Sequence, residues 1–219
     1  MDIHRYSFQP IDSSMYILLG NESSIIIDPS INEEAYNLLC QQNIKKAFIL
    51  LTHEHYDHIS GVNWWKEKIK CVVICSIQCS ERICVARKNA SLHYDILLLF
   101  MPPEVLEQSR SLNPQSYVCY ADQTFEGEYS FIWEEHLFLI TETPGHSPGS
   151  CCIMVDDNIC FTGDTLLYNV PTITRLPGGK REIFKHTIDE YLKKIPIGCT
   201  IYPGHGKPFN YSEINFDII

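Results

Sequence analysis

The sequence has no apolar stretch near the roughly 20 residues that a membrane-spanning helix requires. Its most apolar segment covers only residues 96–101. The opening residues, Met-Asp-Ile-His-Arg-Tyr, also lack the basic start and the long apolar core of a signal peptide. We therefore expect a cytoplasmic protein with no membrane partner.

Basic residues are scarce as well: 17 lysines and arginines stand against 27 aspartates and glutamates, which gives a formal net charge of −10. The densest basic stretch, residues 66–70, is interrupted by other residue types and is typical of a solvated helix end. An acidic chain without a basic patch argues against a nucleic-acid partner and favours a small-molecule substrate.

The remaining composition is that of a soluble globular protein, with 219 residues of which 45% are hydrophobic and 20% charged. This length predicts a single domain over residues 1–219, with the segment 76–116 as a capping insertion. No internal repeat is visible. The sequence leaves open whether the protein forms a homodimer.

Cysteine pairs separated by two residues, a common mark of zinc and iron–sulfur sites, are missing from a chain with ten cysteines. The densest group has spacings of four, four and five residues and consists of Cys71, Cys75, Cys79 and Cys84. Cys71 and Cys75 share one parity in a run typical of a strand. We therefore predict buried free thiols rather than a metal cluster or a disulfide framework.

Short apolar runs alternate with segments of helical spacing along most of the chain. Strands are predicted over residues 3–8, 15–19, 24–27, 46–51, 71–75, 131–132, 137–141, 151–155, 159–162 and 200–202. Helices are predicted over residues 32–42 (with Asn32 as N-cap), 60–68 and 182–194. Segment 92–111 is apolar, contains prolines and is predicted to form a helical flap or insertion. The pattern favours an α/β layered fold with mixed sheets over an all-β sandwich.

Side chains that bind metals cluster directly after the strand predicted over residues 46–51. The run Thr-His-Glu-His-Tyr-Asp-His at 52–58 contains four of them: His53, His55, Asp57 and His58. A tight turn after the strand can splay alternate side chains toward one point in space. Imidazole and carboxylate are the expected ligands of zinc, manganese and iron. The run therefore predicts a metal site, with Glu54 and Tyr56 as spacers that point away from it.

Three later segments each place one more side chain of this type after an apolar strand. His146 lies in a turn rich in glycine and proline, Asp164 follows Gly163, and His205 lies in the Pro-Gly-His-Gly stretch at 203–206. A glycine beside each residue permits a sharp turn. The other histidines, at positions 4, 93, 136 and 186, have no such context and are interpreted as surface or packing residues.

In this combination and order the motifs resemble those of the metallo-β-lactamase-fold superfamily of hydrolases. The similarity is greatest to its small hydroxyacylglutathione hydrolase-like (glyoxalase II-like) members and runs from the Ile-Ile-Asp stretch at 26–28 to residue 206. The resemblance implies a four-layer αβ/βα sandwich, with two mixed sheets and helices on the outer faces. It also implies a ligand set: His53, His55 and His146 for a first metal, Asp57, His58 and His205 for a second, and Asp164 as the bridge.

The resemblance implies a hydrolase that uses two divalent metal ions, with zinc as the expected metal and iron or manganese as alternatives. A metal-bridging hydroxide would attack an ester, thioester or lactone carbonyl. Asp57 or Asp164 would orient this nucleophile and pass its proton to the leaving group. Four residues are predicted to line the substrate pocket: Tyr56, Tyr168, Arg175 and Lys180.

Two departures from the pattern point away from a glutathione thioester as substrate. Only residues 206–219 follow His205, so the C-terminal helical domain of true hydroxyacylglutathione hydrolases is expected to be lacking. The Thr-Ile-Thr-Arg stretch at 172–175 stands where close relatives usually carry Gly-Arg-Thr-Asp. We further expect part of the segment 76–116 to cap the site and to help select an apolar acyl group, so that changes in residues 97–101 should alter the substrate preference.

Two other functions remain open at this stage. One is an iron-dependent oxidoreductase such as a persulfide dioxygenase, because these enzymes share the fold and keep the same ligand residues. The other is a non-catalytic metal-binding member of the fold, although such proteins often lose ligands and here the set is intact.

Overall fold

Two six-stranded sheets form the framework of the computed structural model, which describes residues 1–9, 11–94 and 116–216 together with Pro103 and Glu107. The first sheet contains, in spatial order, β1 (Asp2–Phe8), β2 (Ser13–Leu19), β3 (Ser24–Ile27), β4 (Lys46–Leu50), β5 (Lys70–Ser76) and β6 (Gln123–Phe125). Strands β1 to β3 pair antiparallel, and β3 to β6 pair parallel. The first sheet is therefore mixed.

The second sheet uses the later part of the chain. It contains β7 (Glu128–Trp133), β8 (His136–Glu142), β9 (Cys151–Val155), β10 (Ile159–Gly163), β11 (Thr200–Pro203) and β12 (Phe209–Asn210), adjacent in that order. Only β10 and β11 pair parallel, and the remaining pairs are antiparallel. The carboxyl ends of the parallel pair therefore meet at one edge of this sheet.

Side-chain alternation along the strands separates the layers. In β2, Tyr16 and Leu18 pack with Phe138 and Phe161 of the second sheet, which forms the core between the sheets. Neighbouring Met15 points to the opposite face, which is covered by four helices, α1 (Glu33–Gln41), α2 (Tyr56–Ile59), α3 (Val62–Lys68) and α4 (Ile77–Ile83). The outer face of the second sheet packs against α5 (Arg181–Glu190). This arrangement is the predicted four-layer αβ/βα sandwich.

Most predicted elements are present, and the differences have local causes. Asn32 caps α1 as expected, since its side chain accepts a hydrogen bond from the Ala35 amide at 2.9 Å. The helix predicted over residues 182–194 ends at Glu190 and continues after Tyr191 (φ −126°) as a 3₁₀ turn at Leu192–Lys194. Strands β6 and β12 were missed because they have only three and two residues.

The segment that was predicted as a capping insertion, residues 76–116, begins with an ordered helix. Helix α4 is capped by Ser76, whose side chain accepts from the Cys79 amide, and it buries Cys79 and Ile83 in the first core. Most of the flap predicted over residues 92–111, including residues 97–101, lies outside the described residues. Within the described ranges, no helix has the length and apolar character needed to cross a membrane.

All ten cysteines carry free thiols, and seven of them are buried in the layers described above. Burial raises the pKa of the Cys71 thiol to about 12 and that of Cys199 to about 11, and it raises the pKa of Cys151 well above its ordinary value. Since the thiolate is the reactive form, these groups react slowly. Cys40 is the exposed thiol.

We therefore expect a native-state titration with a soluble disulfide reagent to detect about one fast-reacting thiol, and all ten cysteines after unfolding in urea. The Cys40→Ser variant should lose this fast phase without a change in melting temperature. Rapid reaction of several thiols in the native Cys40→Ser protein would contradict the buried positions of the others.

Candidate metal centre

The turn after β4 is organised by Asp28, a buried residue with a left-handed backbone (φ 51°) at the end of β3. Its carboxylate accepts hydrogen bonds from the amide (2.7 Å) and the hydroxyl (2.5 Å) of Thr52. The same carboxylate accepts from Nδ1 of His58 at 2.9 Å. Both ends of the run 52–58 are thus attached to one side chain, and this fixes the turn that displays the histidines.

Two glycines allow the second sheet to approach this turn. Gly163 ends β10 with φ +49°, and a Cβ at this position would collide with the Thr52 side chain. A Cβ at Gly204 would collide with Oδ1 of Asp164 and would also lie only 2.9 Å from Cε1 of His58 in the turn. The backbones also join directly, because the Cys151 amide donates to Thr52 O at 2.7 Å. The close contact between the sheets therefore depends on the absence of side chains at these positions.

The first group of metal-binding side chains consists of His53, His55 and His146. One nitrogen from each lies within 4.8 Å of the others, and all three residues are buried. Nδ1 of His55 lies 3.0 Å from Nε2 of His146. Two residues of this group come from the turn after β4 and one from the loop between β8 and β9, so the group spans both sheets.

The second group consists of Asp57, His58 and His205, whose ligand-type atoms also lie within 4.8 Å of one another. Oδ2 of Asp57 lies 3.2 Å from Nε2 of His58 and 3.4 Å from Nε2 of His205. A third triad, which combines Asp28 with His53 and His58, meets the same distance criterion. However, the Asp28 oxygens are already bound to Thr52 and His58, so Asp28 is better described as the residue that orients the turn.

Asp164 lies between the two groups. Its Oδ2 is 3.5 Å from Nε2 of His146 in the first group and 3.5 Å from Nε2 of His205 in the second. Its Oδ1 is 3.4 Å from Nε2 of His58. The structure thus brings together all seven side chains that were predicted as metal ligands, with the carboxylate of the predicted bridge in the central position.

Four of the histidines have Nδ1 engaged by a protein oxygen. Nδ1 of His146 lies 2.7 Å from Ile173 O, and Nδ1 of His205 lies 3.1 Å from Ile11 O. Because a carbonyl oxygen only accepts hydrogen bonds, both of these ring nitrogens must carry a proton. His58 is held by Asp28, and His53 is held by the Thr52 hydroxyl at 3.0 Å. In their neutral forms these rings therefore present the unprotonated Nε2, which is the form that binds a metal.

The two groups differ in their electrostatics. Burial, together with neighbouring histidines, lowers the pKa of His55 to about 3 and also lowers the pKa of His53 and His146. Burial also disfavours the charged forms of His58 and His205. For these two histidines the negative charges of Asp57 and Asp164 outweigh the effect of burial. They raise the pKa of His58 well above its ordinary value and that of His205 to about 10.

The two carboxyl groups show the reciprocal effect. Burial favours their neutral forms, but the nearby His58 and His205 outweigh it, and the pKa values of Asp57 and Asp164 lie well below the ordinary range. These buried carboxylates are therefore stable as anions only with positive charge beside them. Divalent cations can supply that charge in place of the histidine protons.

The hydrogen bonding of the cluster also indicates that it fits a metal ion. Within the described part of the chain, the buried polar atoms without a hydrogen-bond partner include four from this cluster: His53 Nε2, His55 Nε2, His58 Nε2 and Asp164 Oδ1. An unpaired buried polar atom costs free energy. Binding a cation would use the lone pairs of most of these atoms at once.

A cavity of about 330 Å³ opens onto the cluster. Five members of the cluster line it together with Tyr94 and several aliphatic residues, Ile11, Ala90, Leu167, Ile173 and Leu176. A volume at the low end of ligand pockets suits a small molecule. The metal-binding side chains are therefore accessible to a small substrate from one mainly apolar side.

The four residues predicted to line the substrate pocket do not line this cavity. Tyr56 is buried behind it and packs edge-on against Tyr94 at 5.1 Å between ring centroids. Tyr168 lines a neighbouring groove, where its ring lies 5.2 Å from that of Phe209. Arg175 and Lys180 are exposed. The prediction selected polar and aromatic residues, whereas the wall of this cavity is built mainly from aliphatic ones, and a role of the four residues in substrate binding stays a prediction.

Three other residues near the cluster had no functional role in the sequence-based prediction, which treated Glu54 only as a spacer. Asp28 orients the turn, Tyr94 lines the cavity, and Glu54 connects the turn to the His146 loop. An aspartate directly after a buried strand was a usable signal for Asp28. The partners of Glu54 and Tyr94 are distant in sequence, and no local pattern indicates them.

Comparison with known proteins places these features in a family context. A model of the Metallo-beta-lactamase superfamily matches residues 9–78 and 79–205. The probable metallo-hydrolase YqgX of Bacillus subtilis is 30% identical over 209 residues, which cover 94% of this chain and 90% of that protein. Hydroxyacylglutathione hydrolase 1 of Vibrio vulnificus is 31% identical over 157 residues, which cover 71% of this chain but only 48% of that enzyme.

The chain also matches a relative with a different activity and proteins of known structure. The mitochondrial persulfide dioxygenase ETHE1 of Homo sapiens is 24% identical, with 92% of this chain and 67% of that protein covered. The fold is similar to that of BLEG-1 B3 metallo-beta-lactamase, with a TM-score of 0.74, 24% identity and coverage of 97% and 95% of the two chains. It is also similar to TTHA1623 in a di-iron-bound form, with a TM-score of 0.72, 20% identity and 96% coverage of each chain.

Proposed function

Because the chain belongs to the metallo-β-lactamase superfamily, we propose that it is a two-metal-dependent hydrolase of an ester, thioester or lactone carbonyl. The observation that carries this proposal is the central carboxylate of Asp164, which lies about equally far from His146 of the first group and His205 of the second. Two ligand groups that share one carboxylate are the arrangement of a two-metal site.

We assign His53, His55 and His146 to the first metal, Asp57, His58 and His205 to the second, and Asp164 to both. Zinc is the proposed metal, because imidazole and carboxylate are its usual ligands, and iron and manganese suit the same donors. When bound, the two ions would polarise a substrate carbonyl and lower the pKa of a water molecule toward neutrality.

The protein's own groups would perform the remaining steps. The ionised carboxylates of Asp57 and Asp164 would orient the water and accept its proton, since both lie at the floor of the cavity. The carbonyl oxygens of Ile173 and Ile11 hold two histidine rings in place, which fixes the ligand geometry before substrate arrives. The aliphatic wall would exclude bulk water and bind the acyl group.

Metal analysis combined with a hydrolysis screen tests this proposal. We expect the purified protein to contain about two divalent ions per chain and to hydrolyse at least one of a thioester, an aryl ester and a lactone. Treatment with a strong chelator should abolish this activity, and added Zn²⁺ should restore it. Retention of full activity in the metal-free protein would disprove the mechanism.

Similarity to a persulfide dioxygenase supports a second candidate, an iron-dependent oxidation. The same preparation distinguishes the two functions. Bound iron, with oxygen uptake on glutathione persulfide and no hydrolysis across the panel, would favour the oxidoreductase. Oxygen-independent hydrolysis by the zinc-loaded protein would favour the hydrolase. A protein that retains metal but performs neither reaction would indicate a non-catalytic member of the fold.

A further inference from the structure

Tyr94 combines three properties that are rarely found together. It is 3% exposed, it lines the cavity above the metal-binding cluster, and its hydroxyl has no hydrogen-bond partner among the described residues. Burial of an unpaired hydroxyl destabilises a protein. A group retained at such a cost, beside a candidate active site, indicates that a ligand supplies the missing partner.

The backbone that carries Tyr94 is fixed in place by buried polar contacts. Asn89 donates from its side-chain amide to Ile83 O (3.1 Å) and Tyr117 O (2.9 Å). Its side-chain oxygen accepts from the Ser91 amide at 2.9 Å. Between these residues, Ala90 adopts a left-handed conformation (φ 66°) that turns the chain toward the cavity. The position of the ring is therefore set by the protein before any ligand binds.

The neighbouring tyrosine provides a contrast within the same aromatic cluster. Tyr117 donates to Ile59 O at 3.0 Å and accepts from the Asn63 amide at 3.2 Å, so its hydroxyl is satisfied by the fold. Burial, and then the charges of Asp57 and Asp164, raise the pKa of the Tyr94 hydroxyl. It therefore remains protonated, as a donor, throughout the range in which proteins function.

The rest of the cavity wall restricts the chemistry of the ligand. Its aliphatic members surround the polar cluster, and no lysine or arginine is among the described residues that line it. Away from the metal-binding cluster, an anionic substituent at the end of the acyl group would lose its hydration against this wall without gaining a counter-charge from it. The wall thus favours an acyl group that is short, apolar and uncharged.

We infer that Tyr94 donates a hydrogen bond to the carbonyl oxygen of a substrate whose short apolar acyl group occupies this cavity, an inference that rests on the proposed hydrolase function. In the reaction, water adds to the carbonyl carbon and the bond from that carbon to the ester oxygen or thioester sulfur breaks. The leaving atom takes a proton, so the products are an acid and an alcohol or thiol. Tyr94 keeps its own proton throughout and stabilises the negative charge that develops on the carbonyl oxygen.

The test compares Tyr94→Phe with Tyr117→Phe as the matched control. Each change removes one hydroxyl from the same cluster. We expect Tyr94→Phe to lower kcat for S-butanoyl-N-acetylcysteamine by about a hundredfold, with KM changed little and metal content unchanged. Tyr117→Phe should leave kcat within about twofold of wild type.

Thermal unfolding supplies a readout that is independent of activity. Loss of the unpaired hydroxyl in Tyr94→Phe should leave the Tm unchanged or raise it by about 2 °C, whereas Tyr117→Phe should lower it by about 2 to 4 °C. A merely structural role of Tyr94 would instead lower the Tm of Tyr94→Phe by a similar amount, about 2 to 4 °C. A Tyr94→Phe variant with wild-type kcat would overturn the assignment.

The acyl preference is tested with the S-butanoyl and S-succinyl thioesters of N-acetylcysteamine, which have the same number of acyl carbons but differ in one terminal carboxylate. We expect kcat/KM to be at least about tenfold higher for the butanoyl thioester. An equal or higher value for the succinyl thioester would overturn the inference of an uncharged acyl group. Failure of the wild-type protein to hydrolyse any ester, thioester or lactone would instead overturn the hydrolase proposal, and this inference with it.

Discussion

The Asp164→Ala variant should lose at least about a thousandfold in kcat/KM for ester or thioester hydrolysis, and its metal content should fall from about two ions per chain to one or fewer. The reason is the position of the carboxylate. Asp164 lies between the two groups, 3.5 Å from His146 and 3.4 Å from His58. Its loss removes one ligand from each proposed metal and the negative charge that the two metals share.

Elemental analysis and steady-state kinetics on the same preparation would measure both effects. Asp164→Asn is the informative companion, because it preserves the shape of the side chain and removes only its charge. The exposed Asp189, which pairs with Lys193 on the surface of α5, provides the control substitution Asp189→Ala. Circular dichroism should show that all variants are folded. A folded Asp164→Ala protein with two metals and full activity would refute the bridging assignment.

The second large effect is expected at Glu54, which the sequence pattern assigned only as a spacer. Its side chain is fully buried and does not belong to either ligand group. Instead, Oε2 accepts hydrogen bonds from the Ser147 hydroxyl at 2.8 Å and the Gly149 amide at 3.2 Å. Oε1 lies 2.6 Å from Nε of Arg82, an ion pair rather than a well-aligned hydrogen bond. Glu54 therefore connects the turn after β4 to the loop that carries His146.

The Glu54→Ala variant should lower the free energy of unfolding by about 3 kcal/mol and the Tm by about 6 to 12 °C. The substitution leaves the Arg82 guanidinium without its counter-charge, and it leaves the Ser147 hydroxyl and the Gly149 amide without their acceptor. Because Ser147 and Gly149 closely follow His146 in the same loop, the affinity of the first site for its metal should also fall by about 10- to 100-fold. Urea denaturation and metal competition with a chromogenic chelator would measure the two effects.

Three further variants sharpen this experiment. Glu54→Gln keeps an acceptor for Ser147 and should be intermediate in stability. In the Glu54→Ala/Arg82→Ala double variant the unpaired guanidinium is gone, so the total loss should be smaller than the sum of the single losses. Glu135→Ala, at an exposed glutamate between β7 and β8, should change little. Equal stability of Glu54→Ala and Glu135→Ala would show that the Glu54 contacts carry no net free energy.

The sequence predicted the fold and the positions of the ligand-type residues, but the assignment of these residues to particular metals is still untested. Strand positions followed from apolar runs, and the order of motifs led to the superfamily resemblance, which the family match and the structural neighbours confirm. The seven ligand-type residues each followed a strand and a sharp turn, so local sequence located them. Their assignment to particular metals stays a prediction that the variants above test.

The cavity beside the metal-binding cluster could not be predicted in the same way. Its wall joins Ile11, Tyr94 and Leu176, which are widely separated in sequence and have no motif in common. The short strand β6 was missed because three residues provide too little periodicity. Glu54 illustrates the same limit, since its partners at 82 and 147–149 are brought to it only by packing of the sheets.

The division of the ligand set between the two sheets affects assembly of the protein. Each proposed metal takes two side chains from the turn after β4 and one from a loop of the second sheet, in addition to Asp164. Neither half of the chain alone contains a complete coordination sphere, so high-affinity binding can begin only after the halves have docked. The ions would then act as cross-links between the two sheets. For each bound site, a tenfold rise in free metal above its dissociation constant would stabilise the docked state by about 1.4 kcal/mol.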